Sequence, residues 1–189
     1  SWYTVLATNA PYFDLSKTSL YVRFWLRSDS GTAVLDRIML QGPETRFGLV
    51  SFSNYNHGSS IVSSGWSEVS IPVADFMSEI SGPFSLGKVA GLTLKFKRDP
   101  SRTYPSSVMF DDVQISPDPS SPPVRGEPVV LPLMVDDFEQ GNGNNNSLGR
   151  WSAVYAPPAE TAGYIADCGG AQRNGSLGGV IYYANTPTS

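Results

Sequence analysis

Five carboxylates in two short runs are the residues whose type and spacing come closest to a reactive cluster: Asp111, Asp112, Asp136, Asp137 and Glu139. Two carboxyl groups held about 5 to 10 Å apart can act as acid and base on a glycosidic bond. Several carboxylates together also suit calcium, which prefers hard oxygen ligands and offsets their mutual repulsion. Ordinary edge or turn carboxylates are the third alternative. Catalysis is the least favoured of the three, so we expect that the protein is not an enzyme. If it binds a cofactor, we expect structural calcium.

A row of alternating aromatic and basic residues is the best candidate for a binding surface: Tyr21, Arg23, Trp25 and Arg27. Alternate residues of a strand point to the same side, so this row would share one face of a sheet. Aromatic rings stack on the C–H face of a sugar, and Arg donors reach its hydroxyl groups. The row therefore predicts polysaccharide binding. The alternative is that its rings pack beneath a loop, the Pro-rich connector or a neighbouring subunit.

Other side chains bear on the same surface. Three further basic residues are expected to join the row from neighbouring strands: Arg37, Lys95 and Lys97. Trp66 is interpreted as core or sheet-edge packing.

The single His and the single Cys exclude most nucleophilic schemes and any Cys-based zinc site. His57 lies in a polar stretch that predicts an exposed turn. Cys168 is interpreted as a buried free thiol, with an interchain disulfide as the alternative in an oxidising compartment. No nucleophile elbow, phosphate loop or HExxH motif occurs in the sequence.

Composition limits the possible partners and points to an extracellular or cell-surface location. The net charge of −4 argues against nucleic-acid binding, which needs clustered Lys and Arg. No apolar run approaches the roughly 20 residues of a membrane helix. Asn145 and Asn174 each precede a glycine or asparagine and then a serine, which is the acceptor pattern for N-glycosylation. A hydrophobic content of 40% is enough for a packed core.

The pattern along the chain is that of β-strands. Apolar and polar residues alternate in three stretches, at 20–27, 68–73 and 92–97. This period of two, with Gly, Pro, Asn and Ser between the stretches, predicts an antiparallel β-sandwich. A short helical turn is expected at 74–77, directly after Pro72.

A proline-rich run divides the chain into two unequal parts. Residues 116–134 contain six prolines, which predict an extended connector because proline fixes φ and removes a backbone donor. Residues 1–115 look like the larger part of a sandwich that lacks its opening strands. Residues 135–189 look like opening strands without a core of their own.

Five motifs give the chain a resemblance to a known family. They are VDDFE at 135–139, NSLGRW at 146–151, FDLS at 13–16, the stretch from 65 to 76 that begins GW and includes IP, and VMFDDVQI at 108–115. In these five motifs the chain resembles jelly-roll carbohydrate-binding modules and the related complex I intermediate-associated domains. The resemblance covers nearly all of the chain except the connector, but the motifs occur in rotated order.

The resemblance implies a jelly-roll sandwich whose first and last strands are neighbours, so residues 136–139 should pair beside residues 110–115. Many related modules hold a structural calcium there. The paired-glutamate motif of catalytic jelly-roll glycosidases, E-x-D-x-x-E, is absent.

The rotated order leaves alternatives for how the sandwich is completed. Residues 135–189 can fold back on residues 1–115 as a circular permutant, or they can complete the next copy in a head-to-tail polymer or tandem array. We favour a non-catalytic extracellular structural repeat that assembles end to end. The alternative is a glycan-binding accessory module of a secreted carbohydrate-active enzyme or adhesin.

Overall fold

The computed structural model describes the backbone of residues 2–16, 19–29, 33–97, 106–117, 133–136, 150–156, 161–168 and 178–184, and side chains only within residues 12–117. Twelve strands occur in this part of the chain. They are β1 (Trp2–Phe13), β2 (Tyr21–Ser28), β3 (Val34–Gln41), β4 (Phe47–Ser51), β5 (Ser67–Pro72), β6 (Glu79–Ser81), β7 (Val89–Lys97), β8 (Ser106–Ser116), β9 (Leu133–Asp136), β10 (Arg150–Ala156), β11 (Thr161–Cys168) and β12 (Gly178–Ala184).

Short 3-10 helices join several of these strands. They span Pro43–Thr45, Phe52–Tyr55, Val73–Met77 and Leu86–Lys88. The helix at Val73–Met77 confirms the helical turn expected after Pro72, whose fixed φ suits the start of a helix. No helix of the described residues is long and apolar enough to span a membrane.

The strands form two antiparallel sheets. In the first sheet the order is β10-β1-β7-β3-β4-β6, and in the second it is β11-β12-β8-β2-β5, with β9 also paired to β8. The all-β, antiparallel β-sandwich predicted from the alternating pattern is therefore confirmed.

A single apolar core lies between the sheets. The second sheet contributes Phe24 and Phe110, and the first contributes Leu94 and Phe96, all at most 1% exposed. Each of these residues is flanked in sequence by residues of the opposite face, as a strand period of two requires. Burial of this alternate set orients the remaining residues of β2 and β8 away from the core.

Strands from the C-terminal part complete both sheets within one chain. β10 pairs with β1 in a register that runs from Trp2 opposite Ala156 to Thr8 opposite Arg150, and β12 pairs with β8. β9 pairs with β8 so that Asp136 lies opposite Val113. β9 begins at Leu133, two residues inside the predicted connector, and of residues 136–139, which were expected to pair beside residues 110–115, the structure shows Asp136 beside β8. Residues 137–139 lie outside the described residues.

Candidate functional site

The outward side of β2 carries the predicted aromatic and basic row. Tyr21, Arg23, Trp25 and Arg27 alternate with buried core residues, and we call the surface formed by these four side chains the β2 face. Tyr21, Trp25 and Arg27 are half-buried, whereas Arg23 is only 6% exposed. β2 lies between β5 and β8, so residues of these two strands border the face.

An ion pair holds the buried arginine of the row. The Arg23 guanidinium pairs with the Glu68 carboxylate. Glu68 lies on β5, two residues before Ser70, which is directly opposite Arg23. A buried guanidinium requires such a partner, because an uncompensated charge would carry a large desolvation cost. Arg23 is therefore a fixed, charge-matched element of the face.

The other arginine is held between a ring and a sulfur. Arg27 places its guanidinium carbon 5.2 Å from the centroid of the Trp66 ring, and its Nε donates to Met109 Sδ at 3.1 Å. The first contact is a cation–π arrangement. Trp66 is half-buried, and this contact places it beside the Arg27 end of the β2 face, a role that sequence reasoning did not assign to it. The sequence signal for this role was its position after Gly65 and directly before the alternating stretch at 68–73.

Two polar side chains flank Arg23 across the sheet. The register pairs Arg23 with Ser70 on β5 and with Gln114 on β8. Ser70 Oγ and Gln114 Oε1 are both buried, and neither has a hydrogen-bond partner in the described part of the chain. These two residues were also missed by sequence reasoning, since nothing local marks a buried polar atom that lacks a partner.

The acidic pair on β8 lies beside Trp25. Asp111 is fully buried opposite Trp25, and its Oδ1 accepts the Asp112 N–H at 2.8 Å. Asp112 has φ of 51°, in the left-handed region, where β8 bulges against β2. The bulge inserts one extra residue, so both Asp111 and Gln114 stay on the outward side.

The predicted calcium ligands are placed only in part. Asp136 lies one strand away, opposite Val113, while Asp137 and Glu139 fall outside the described residues. Within the described residues, no three His, Cys, Asp or Glu side chains form a group that could hold a metal ion. The adjacent carboxyl groups of Asp111 and Asp112 are oxygen ligands of the kind that calcium prefers. A calcium site that uses them stays a prediction.

The three extra basic residues do not join the row, and that prediction was wrong. Arg37 and Lys95 lie opposite each other on β3 and β7, in the first sheet, and Lys97 is also on β7. The core therefore separates them from β2. Arg37 instead pairs with Glu79 at 3.2 Å and donates to Ser51 Oγ.

The remaining predicted residues do not contribute to the β2 face. His57 is exposed in a turn with φ of 50°, which confirms the turn prediction. Cys168 ends β11, and its side chain is not among those described. Asn145 and Asn174 lie outside the described residues.

Comparison with known proteins gives one solved structure. No family model matches the chain, and no curated protein matches it. The crystal structure of a family 30 carbohydrate binding module matches 69% of this chain and 66% of that chain, with 20% sequence identity and a TM-score of 0.44. A similarity at this level does not identify a ligand.

Proposed function

We propose that the chain is a non-catalytic carbohydrate-binding module whose β2 face contacts a polysaccharide. The observation that carries this proposal is the pair Tyr21 and Trp25, both half-buried on one face of a strand. Four strand steps separate them by about 13 Å. Ring faces at this spacing can stack on separate sugar units of one chain, with fixed guanidinium groups between and beyond them.

The rigidity of the face supports binding by a preformed surface. Arg23 is held by Glu68, and Arg27 is held by Trp66 and Met109. Long side chains that are already ordered lose little conformational entropy when a ligand binds. The Glu68 carboxylate is engaged in the ion pair, which favours a structural over a catalytic role for it.

Affinity electrophoresis in gels that contain soluble polysaccharides tests the proposal. Trp25→Ala should weaken binding about tenfold or more, since loss of one stacking contact costs roughly 1.4 kcal/mol or more. Tyr21→Ala should act in the same direction. Tyr12→Ala, at an aromatic that is 53% exposed on β1, is the matched control and should bind like the wild type.

Thermal unfolding separates the binding role from simple packing. If Trp25→Ala and Tyr21→Ala both unfold the protein, the rings belong to the core and the proposal fails. Retained stability with retained binding would also contradict it.

End-to-end assembly is the second candidate function, with an extracellular setting and glycans at Asn145 and Asn174. Its basis is that β10 and β12, which pair with β1 and β8 of the same chain in this structure, lie beyond the proline-rich run at 116–134. The same strand pairings can form with the next copy, which satisfies the same backbone groups and leaves one donor and one acceptor end. Growth would then be limited only by concentration.

A further inference from the structure

One row of polar side chains crosses the β2 face between its two aromatic rings. It consists of Ser70, Arg23 and Gln114, which the strand register places side by side. Tyr21 lies one outward position to one side of this row and Trp25 one outward position to the other. A ligand that spans the two rings must therefore pass over the row.

Two atoms of the row have unused hydrogen-bonding capacity. Gln114 is 3% exposed, and its Oε1 has no donor among the described residues; Ser70 Oγ is likewise buried without a partner. Buried polar groups in native proteins are nearly always hydrogen-bonded to protein, water or ligand. Gln114 Oε1 accepts only, and Ser70 Oγ both donates and accepts, which matches a ligand rich in hydroxyl groups.

The arginine that lies between the two rings is already paired. The guanidinium of Arg23 pairs with the Glu68 carboxylate, and the guanidinium of Arg27 lies beyond Trp25, over the Trp66 ring. A sugar carboxylate or sulfate between Tyr21 and Trp25 would therefore meet a positive charge that Glu68 has already neutralised. The face is suited to an uncharged ligand.

We propose that Gln114 and Ser70 are specificity-determining residues for an uncharged sugar unit that lies between Tyr21 and Trp25. They accept hydrogen bonds from the hydroxyl groups of this sugar and donate hydrogen bonds to them. This inference rests on the proposed function of the β2 face. It adds which residues select the ligand and which charge class of polysaccharide they admit.

Binding of the full chain to a panel of soluble polysaccharides tests the inference. The panel contains neutral glucan, mannan, xylan and galactan, together with the anionic polygalacturonate and alginate. Gln114→Leu and Ser70→Ala should each weaken binding to the preferred neutral polymer about three- to tenfold, as expected for loss of one hydrogen bond. Gln41→Leu is the matched control, because Gln41 Oε1 is also buried with no partner in the described part of the chain but lies in the first sheet.

Melting temperatures distinguish selection from structure. Gln114→Leu should melt at or above the wild-type temperature, because it removes a buried polar atom that has no hydrogen-bond partner among the described residues. A large drop in melting temperature would show that Gln114 is structural and would overturn its role. Gln114→Glu adds a charge in the same shape and should also weaken binding.

The outcomes separate the two proposals. If Trp25→Ala abolishes binding while Gln114→Leu and Ser70→Ala do not weaken it, the β2 face binds glycan and only the role of the row is wrong. Equal or tighter binding of the anionic polymers overturns the selection of uncharged sugars. Binding to no member of the panel overturns the proposed function and this inference together.

Discussion

Tyr55 and Asp75 form a hydrogen-bonded pair between two 3-10 helices. Tyr55 Oη donates to Asp75 Oδ2 at 2.7 Å. Burial, and then the hydrogen bond and the charge of Asp75, raise the pKa of Tyr55 above its ordinary value. Because the folded state holds the phenolic proton more tightly, the stabilisation is complete below the unfolded pKa of about 10 and is lost as pH rises above it.

This pair predicts a specific pH dependence of stability. In urea unfolding, the contribution of this pair should stay constant up to about pH 9 and should fall as pH rises above about 10. The loss should be smaller for Tyr55→Phe, which has no phenolic proton to release, while Tyr12→Phe at an exposed tyrosine serves as the control. An equal loss in Tyr55→Phe and the wild type would show that Tyr55 does not contribute to the dependence.

Asp111 gives a second prediction for a single residue. If the acidic pair holds calcium, the ion stabilises the folded state by mass action, and melting in calcium should exceed melting in chelator by several degrees. Asp111→Asn should abolish the difference, and Asp36→Asn, at a half-buried carboxylate of β3, should preserve it. Identical melting curves of the wild type in calcium and in chelator would contradict the calcium site.

The strand β4 is packed so closely that a glycine is required in it. A Cβ on Gly48 would lie 2.5 Å from Phe76 O and 2.5 Å from Phe84 Cε1. One of these atoms is backbone and the other belongs to a buried ring, so neither can move aside easily. The approach of the Val73–Met77 helix to the first sheet therefore depends on the missing side chain.

Gly48→Ala should lower the free energy of unfolding by about 1–3 kcal/mol, the usual range for overpacking. Gly65→Ala is the control, because a Cβ there meets nothing within 4 Å. Denaturant unfolding of the two variants measures the effect. Equal stabilities would mean that β4 and the helix do not approach as closely as described.

The sequence predicted which side of a strand each residue faces, but it did not predict which strands lie next to each other. The alternation at Leu26 and Arg27 is local, so it correctly assigned one residue to the core and the next to the outer face. The partner of Arg23 lies 45 residues away, and Arg37 and Lys95 belong to the other sheet, because strand pairing is decided by long-range packing. The bulge at Asp112 likewise depends on the pairing of β8 with β2.

Strands from the C-terminal part of the chain complete both sheets of the molecule. β10 joins the first sheet beside β1, and β12 joins the second beside β8. A sandwich with this connectivity can close within one chain or exchange its C-terminal strands with another copy, since the hydrogen-bond register is the same in both cases.

End-to-end assembly predicts multimers that grow with protein concentration. Light scattering after size exclusion, over a range of concentrations, should then show masses that are whole multiples of the 20.4 kDa chain. A single monomeric species at all concentrations would contradict assembly and leave the closed glycan-binding module standing.

NMR shifts of the backbone amides can map carbohydrate binding to the β2 face residue by residue. Titration of the full chain with an oligosaccharide of the preferred neutral polymer should shift amides of β2, β5 and β8, centred on Arg23 and Trp25. Amides of β3 and β4 in the opposite sheet should not move. Shifts confined to the first sheet, or no shifts at saturating oligosaccharide, would contradict binding at the β2 face.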